Sequence, residues 1–218
     1  MKDVLIAFTI MTFLGIFGAI GVNILTGKEK PLISSVVYVG GDPNNPLAHG
    51  SGVLISNNIV LTNRHVVESL PDTPEIMFSD SSKVVGETVL VSKGTLDLSV
   101  IRIPTTTIKP APITCRKPVH GEDVTVVGYP LTQSSVILRG IVAALTTNIE
   151  GSPENIYTII QAPINKGNSG GAAFDTKGNL LGIVTAFLVT NNFGFMPENS
   201  GLGLIQPTYK FCDVLGLK

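Results

Sequence analysis

Short apolar runs separated by turn residues fill most of this 218-residue chain, and they restrict its fold more than any other feature. VLISNNIVL shows the pattern well, because two β-branched runs flank the turn residues 56–58 and so predict a hairpin. Further runs follow as far as LLGIVTAFL, and only the turn after His65 and the terminal TYKFCDVLG are typical of helix. The pattern predicts an all-β protein of roughly a dozen short strands, arranged as a sandwich or as barrels.

A proline- and threonine-rich stretch, TTTIKPAPITCRKP, divides these strands into two halves. Its composition is typical of an extended connector rather than of a strand or helix. We therefore expect one small barrel at about 31–108 and a second at about 117–206, within a folded unit covering 31–218.

The N-terminal segment differs from the rest because residues 4–25 contain no charged side chain. As a helix this segment is about 33 Å long, enough to cross a bilayer core of about 30 Å. A cleaved signal peptide and a buried core helix are the alternatives. The run is longer than the apolar core of a signal peptide, and it lacks the polar face of a core helix. We favour an uncleaved membrane anchor, with a short polar linker making up the rest of residues 1–30.

Charge and composition exclude several classes of function. The formal net charge is −1, which gives no electrostatic reason to expect nucleic-acid binding. The three histidines and two cysteines lie far apart, so their spacing indicates no metal site, and we expect no cofactor.

The stretch KGNSGG, residues 166–171, places one serine among glycines and an asparagine. It fits an ordinary turn, but it also fits a nucleophile surrounded by backbone amides. Two candidate partners precede Ser169. His65 stands in VLTNRHVV where a strand ends, and Asp97 stands beside the apolar run LSVIRI. Taken separately, the histidine fits a structural or exposed side chain and the aspartate a turn cap.

Taken together, these residues follow the order His65, Asp97, Ser169, which is that of the chymotrypsin-like proteases. In that arrangement the aspartate orients the histidine, and the histidine removes the serine proton. The backbone N–H groups of the serine turn, Gly167 to Ser169 with Asn168 between them, then form an oxyanion hole.

The sequence resembles the HtrA/Deg type of trypsin-like serine protease over nearly all of residues 35–208. The resemblance rests on eight segments in family order: GSGVLI (50–55), VLTNRHVV (60–67), DLSVIRI (97–103), VVGYP (126–130), LRGIVAAL (138–145), APINKGNSGG (162–171), GNLLGIVTAF (178–187) and GLGLIQPT (201–208). The resemblance implies two perpendicular six-stranded antiparallel barrels with the triad in the cleft between them, and it adds polypeptide substrates and a trimer as expectations. We also expect a short C-terminal helix.

The chain departs from this family in three respects. It ends about ten residues after GLGLIQPT, so we expect no PDZ domain. Gln161 stands where the family often has aspartate. Asn168 replaces the aspartate with which digestive relatives bind a freed N-terminus, so we do not expect activation by N-terminal cleavage.

The residues expected around the substrate pocket are uncharged. By the resemblance, its walls come from the segment before the serine and the strand after it, and they comprise Pro163, Ile164, Asn165, Thr185, Ala186 and Phe187. Cleavage after lysine or arginine needs a carboxylate in the pocket, because an unpaired cation is costly to desolvate. We therefore expect cleavage after small or medium apolar residues.

The sequence leaves more than one functional hypothesis. The main hypothesis is a membrane-tethered endopeptidase with its protease domain outside the cytoplasm, acting in protein quality control. The main rival is a non-catalytic relative that binds peptides as a chaperone. A Ser169–Lys166 dyad is poorer because His65 is a better base, and neither cysteine has an activating motif. Cys115 in the connector and Cys212 in the terminal segment are candidates for a disulfide, with two separate thiols as the alternative.

Overall fold

The computed structural model describes residues 29–217, except 43, 46, 132–133, 149–155 and 191–197. The predicted membrane anchor, residues 4–25, lies outside the described residues. Within the described part, no helix has the length and apolarity needed to cross a membrane.

Thirteen strands and three short helical segments form the described fold, which confirms the all-β prediction. The first half contains β1 Val36–Gly40, β2 Gly50–Ser56, β3 Ile59–Thr62, β4 Glu75–Met77, β5 Lys83–Val85, β6 Glu87–Val91 and β7 Ser99–Arg102. The second half contains β8 Asp123–Gly128, β9 Val136–Asn148, β10 Ile156–Gln161, β11 Ala172–Phe174, β12 Leu180–Thr190 and β13 Glu198–Pro207. The helical segments are α1 Glu29–Ser35, α2 Arg64–Val67 and a 3-10 helix at Thr208–Lys210.

The first half is an antiparallel sheet in the order β5-β4-β1-β2-β3-β7-β6. It has seven described strands, so the prediction of six was wrong in its count. The reason is Gly86, the one residue between β5 and β6, whose N–H bonds to the Pro74 carbonyl at 2.8 Å. The chain bends there, and β5 pairs with β4 while β6 pairs with β7. The two ends of the sheet are thus consecutive in sequence, which curls the sheet towards a barrel.

The second half is a closed six-stranded barrel in the order β10-β13-β12-β11-β8-β9. Its interior is filled by buried aliphatic side chains, including Val126, Val142, Leu181 and Ile205. A separate apolar cluster joins the two halves, with Tyr38 and Leu61 from the first packed against Tyr129 and Phe174 from the second. This shared core holds the facing ends of β2, β3, β8 and β11 together.

Two smaller expectations required correction. The segment assigned to a polar linker in fact enters α1 at Glu29. The predicted C-terminal helix is only the 3-10 helix Thr208–Lys210 followed by turns. The backbone hydrogen bonds after Pro207 do not keep the regular spacing of an α-helix. The predicted hairpin is confirmed, with Ser56 opposite Ile59 across the turn.

Candidate active site

His65 and Asp97 meet at the end of the first sheet. His65 lies in α2, immediately after β3, and Asp97 lies just before β7, which pairs with β3. The Asp97 carboxylate accepts the His65 backbone N–H at 3.0 Å and the Nδ1–H at 2.7 Å. Since a carboxylate only accepts, this contact assigns a proton to Nδ1 and leaves Nε2 as the basic nitrogen.

Two opposing effects determine the charge of Asp97. Burial of the carboxyl acts to raise its pKa, and this is the largest single effect. The His65 ring, the His65 backbone N–H and the charge of Arg64 together outweigh burial, so the pKa of Asp97 lies below its ordinary value. The group is therefore ionised near neutral pH and can stabilise a positive imidazolium.

Side chains from both halves hold the backbone around Asp97. Asn63 donates from Nδ2 to the Asp97 carbonyl at 2.8 Å, and the Asp97 N–H donates to Gln206 Oε1 at 3.2 Å. Arg64 reaches the preceding loop through the carbonyls of Ser92 and Gly94. These contacts fix the carboxylate without using its oxygens, which remain available to His65.

Ser169 lies in the turn between β10 and β11, in the second half. Its Oγ donates to the Thr185 carbonyl at 3.2 Å. No hydrogen bond joins Ser169 to His65 among the described residues, and His65 Nε2 has no hydrogen-bond partner there. The structure thus brings His65 and Asp97 into contact and leaves the serine hydroxyl turned towards β12.

Gly167 adopts a conformation that favours glycine, with a φ of 91°. A Cβ at this position would collide with the Tyr129 carbonyl and with the His49 ring. The neighbouring Lys166 carbonyl accepts the Leu131 N–H at 3.0 Å. Because C=O and N–H point in opposite directions in a trans peptide, this bond directs the Gly167 N–H away from Leu131.

The amides of the serine turn differ in what they bind. Within the described residues, the N–H groups of Gly167 and Ser169 donate to no acceptor, whereas the Asn168 N–H donates to the Asn165 carbonyl at 3.1 Å. Free backbone N–H groups of this kind can stabilise a negative oxygen. The structure therefore leaves Gly167 and Ser169 available for this role and uses the Asn168 amide internally. The Asn168 side chain is fully buried.

The first half of the molecule supports the serine turn through Ser51 of β2. Ser51 donates from Oγ to the Gly167 carbonyl at 2.7 Å and accepts the Tyr129 N–H at 2.9 Å. The Ser51 N–H also donates to the Ser169 carbonyl at 2.7 Å. One residue of β2 thus positions both neighbours of Asn168.

The predicted pocket residues lie in different environments. Ile164 is 1% exposed and packs in the second-barrel core, directly opposite Gly203. Thr185 is buried, Asn165 is half-buried, and Ala186 and Phe187 are half-buried on β12. Pro163 is exposed and faces a groove of about 390 Å³ with Gln161 and Arg139. The side chains of these two consecutive residues therefore lie in different environments, Pro163 at the surface groove and Ile164 in the barrel core.

One of the two larger cavities of the described structure lies at this site. It has a volume of about 440 Å³, lies beside the His65–Asp97 pair and reaches Tyr157. A larger cavity of about 740 Å³ lies elsewhere, between α1, the connector and the turn after β11, and does not include the pair. Among the described residues, no group of three or more metal-ligating side chains is present.

Comparison with known proteins identifies the family. A profile described as "Trypsin-like peptidase domain" matches residues 50–183. The Serine endoprotease DegS of Escherichia coli K12 is 35% identical over 205 residues, covering 88% of this chain and 57% of DegS. The chain belongs to the HtrA/Deg-type trypsin-like serine protease family.

Other members of the HtrA/Deg family agree in sequence and fold. The "Probable periplasmic serine endoprotease DegP-like" of Brucella suis is 32% identical over 163 residues, covering 73% of this chain and 30% of the relative. A serine endoprotease from Yersinia pestis superposes with a TM-score of 0.71 at 28% identity, covering 87% of this chain and 64% of that one. The HtrA-type protease AlgW, solved with a tripeptide, gives 0.74 at 25% identity, covering 87% and 61%. This chain spans less than two thirds of these relatives.

Several residues at this HtrA/Deg-type site were not found from the sequence. Ser51, Asn63 and Gln206 fall inside the quoted motifs, but nothing in the motifs alone indicates which groups they contact. Asn199 is another, since its amide donates to the Ile164 carbonyl and to Asn165 Oδ1. These contacts join positions more than 30 residues apart, as the sequence separation of 34 between Asn165 and Asn199 illustrates.

Proposed function

We propose that this chain is a membrane-tethered serine endopeptidase that cleaves polypeptides through a covalent acyl-enzyme. The proposal is carried by the His65–Asp97 contact together with a serine turn that has two free backbone amides. The catalytic residues are then His65, Asp97 and Ser169, and the Gly167 and Ser169 N–H groups form the oxyanion hole.

In the acylation step, Ser169 Oγ attacks the carbonyl carbon of the substrate and its proton passes to His65 Nε2. For this step the hydroxyl must leave the Thr185 carbonyl and turn to His65, which exchanges one ordinary hydrogen bond for another. The negative oxygen that forms is stabilised by the two free amides. The imidazolium, stabilised by Asp97, then gives its proton to the leaving amine.

A water molecule completes the cycle in the deacylation step. His65 removes its proton, the resulting hydroxide attacks the acyl carbon, and Ser169 Oγ leaves as the proton returns to it. The products are the carboxylate of the acyl fragment and the unchanged enzyme.

The substrate binds as an added strand along β12. Beyond Val184, β12 pairs within the described residues only with β13, so its other edge is open from Thr185 to Phe187. An extended peptide can hydrogen-bond to such an edge, which favours unfolded or extended segments as substrates. Ile164 and Phe187 narrow the adjacent pocket, so small or medium apolar residues are preferred before the cleaved bond.

The tether and the location rest on the sequence and on the relatives. Residues 4–25 are long enough to span a bilayer. The Brucella relative carries "periplasmic" in its name, and the Cys115–Cys212 bond is of the kind found outside the cytoplasm. Retention of the full-length protein in membranes washed with alkaline carbonate supports the tether, whereas its release without detergent contradicts it. Assembly into a trimer stays a prediction from the resemblance.

Labelling with a fluorophosphonate probe tests the catalytic proposal. The wild-type protein should react at Ser169, and Ser169→Ala should not, because the probe needs an activated serine. Ser134→Ala serves as a control that changes a serine outside the serine turn. A folded wild-type protein that fails to react, yet binds unfolded peptides, would instead support the non-catalytic chaperone.

A further inference from the structure

His49 is a half-buried histidine immediately before β2 that no step of the proposed mechanism uses. Its ring nitrogens lie beside two backbone carbonyls, Nδ1 at 3.0 Å from Leu47 and Nε2 at 3.2 Å from Tyr129. Carbonyl oxygens only accept, so the ring is the donor in whichever of these bonds it forms. The Tyr129 contact crosses from the first half of the molecule to the second, over 80 residues of sequence.

Packing fixes the orientation of this ring. Tyr38, which is 3% exposed, stacks on the His49 ring with centroids 5.2 Å apart and planes inclined by 17°. Tyr129 in turn packs edge-on against Tyr38, with the ring centroids 6.1 Å apart. The stack fixes the plane of the ring, and the contacts of Nδ1 with Leu47 and of Nε2 with Tyr129 then fix which nitrogen faces Tyr129.

The Tyr129 carbonyl that faces His49 also lies against the serine turn. A Cβ on Gly167 would contact both this carbonyl and His49 Nε2, so the His49–Tyr129 contact lies against the Gly167 Cα. Two residues further on, the Leu131 N–H holds the Lys166 carbonyl and thereby sets the direction of the Gly167 N–H. Leu131 itself has a φ of 58°, a left-handed conformation that is unfavourable for a residue with a Cβ. The Leu131 N–H therefore keeps its direction only if the adjoining residues, including Tyr129, are held in place.

We propose that His49 is a positioning residue for the oxyanion hole. By holding the Tyr129 carbonyl, it fixes the segment 129–131, and this segment in turn directs the Gly167 N–H towards the reacting oxygen. The inference deepens the proposed function and rests on it where catalysis is concerned. The hydrogen bond and the packing can also be tested without catalysis.

The kinetic test compares His49→Leu, which removes the donor, with His49→Gln, which keeps an N–H donor. Loss of a whole oxyanion donor costs 10²- to 10³-fold, so misdirection of one should lower kcat about 10-fold in His49→Leu. KM should stay within about two-fold, because the peptide-binding edge of β12 is not changed. A peptide aldehyde, whose hemiacetal oxygen occupies the hole, should bind about 10-fold more weakly. His49→Gln should recover most of both losses.

His120→Leu is the matched control, because it makes the same exchange at an exposed histidine outside the site. It should leave kcat, KM and aldehyde binding unchanged. A His49→Leu protein with wild-type kcat and aldehyde affinity would overturn the proposal. The proposal would also be overturned if kcat and aldehyde affinity fell equally in all three variants and only in proportion to a lower melting temperature.

A second measurement separates this inference from the proposed function. Amide hydrogen exchange of the peptide containing Leu131 is followed in full-length Ser169→Ala protein. This measurement does not depend on catalytic turnover. His49→Leu should speed this exchange, while His49→Gln and His120→Leu should not. Unchanged exchange in His49→Leu overturns the inference. If the wild-type protein has no peptidase activity, the proposed function fails, and the exchange result still decides the role of His49.

Discussion

At the scale of single residues, the proposed triad acts as a unit, since each member is useful only with the others. Ser169→Ala and His65→Ala should each lower peptide turnover by about 10⁴-fold or more, and the double mutant should lose little beyond either. Steady-state kinetics on one purified peptide substrate measures this. Strictly additive losses, or near-normal hydrolysis by Ser169→Ala, would contradict the mechanism.

Asp175 shows that a buried carboxylate of this fold need not belong to a catalytic site. Its side chain is 4% exposed, and it caps the turn after β11 by accepting the Lys177 and Asn179 N–H groups at 2.9 Å. Burial acts to raise its pKa, but these bonds, the Asn179 amide and Arg116 outweigh burial and lower it below 3.8. The folded state therefore binds the proton more weakly than the unfolded state does.

Linkage gives the sign of the resulting pH dependence. The stabilisation from Asp175 is present above the unfolded pKa of 3.8 and is lost as pH falls through the lower folded pKa. Asp175→Asn should reduce the free energy of unfolding by about 1–3 kcal/mol at pH 6, with a smaller reduction below pH 3.8. Urea unfolding at both pH values measures this, with exposed Asp213→Asn as control. A deficit that grows in acid would contradict the assignment.

At the scale of elements, the sequence predicts what is encoded locally. The β2–β3 hairpin follows from β-branched runs around a turn, and the triad candidates from their motifs. The break at Gly86 could not be predicted, because VVGETVLV is typical of a single strand and its bend depends on a hydrogen bond to Pro74. The supports of the serine turn were missed for a similar reason. Ser51 and Gly167 lie 116 residues apart, and no local pattern relates them.

The proposed substrate pocket around Ile164 and β12 makes a prediction about specificity. Ile164 lies over Gly203, where an added Cβ would collide with its Cγ1. In the proposed pocket, this side chain limits the size of the substrate residue that can bind. Ile164→Ala should raise the ratio of kcat/KM for phenylalanine over valine about 10-fold or more, because each methylene counts for about 1–3 kcal/mol.

The matched variant for this experiment is Ile164→Val, which removes one methyl and should change the ratio less. Because Ile164 also packs in the core, the truncation to alanine costs about 2–5 kcal/mol of stability, so melting temperatures must be recorded beside the kinetics. A ratio unchanged in folded Ile164→Ala protein would place the specificity pocket elsewhere.

At the scale of the whole molecule, one covalent bond links the connector between the halves to the C-terminal segment. Cys115 and Cys212 are bonded, with Cα atoms 6.0 Å apart and a sequence separation of 97. Thr208 strengthens the same junction, since its hydroxyl contacts the carbonyls of Thr114 and Leu181. The terminal segment is thus bonded to the connector and to β12 before Phe211 and to the connector after it, and Phe211 itself is fully buried in the core between the halves.

Loss of this disulfide should destabilise the protein without altering the chemistry of the site. Closing a loop of this length contributes up to about 4.7 kcal/mol in the chain-entropy model, and removal of native disulfides typically costs about 2–5 kcal/mol. Cys115→Ala, Cys212→Ala and the double variant should therefore show equal losses in the free energy of unfolding, because either substitution breaks the same bond. Intact mass under non-reducing conditions is the prior check, since the bridged protein takes up no alkylating reagent until it is reduced. Two alkylatable thiols in the untreated protein, or single variants whose losses add in the double, would show that the two cysteines contribute separately.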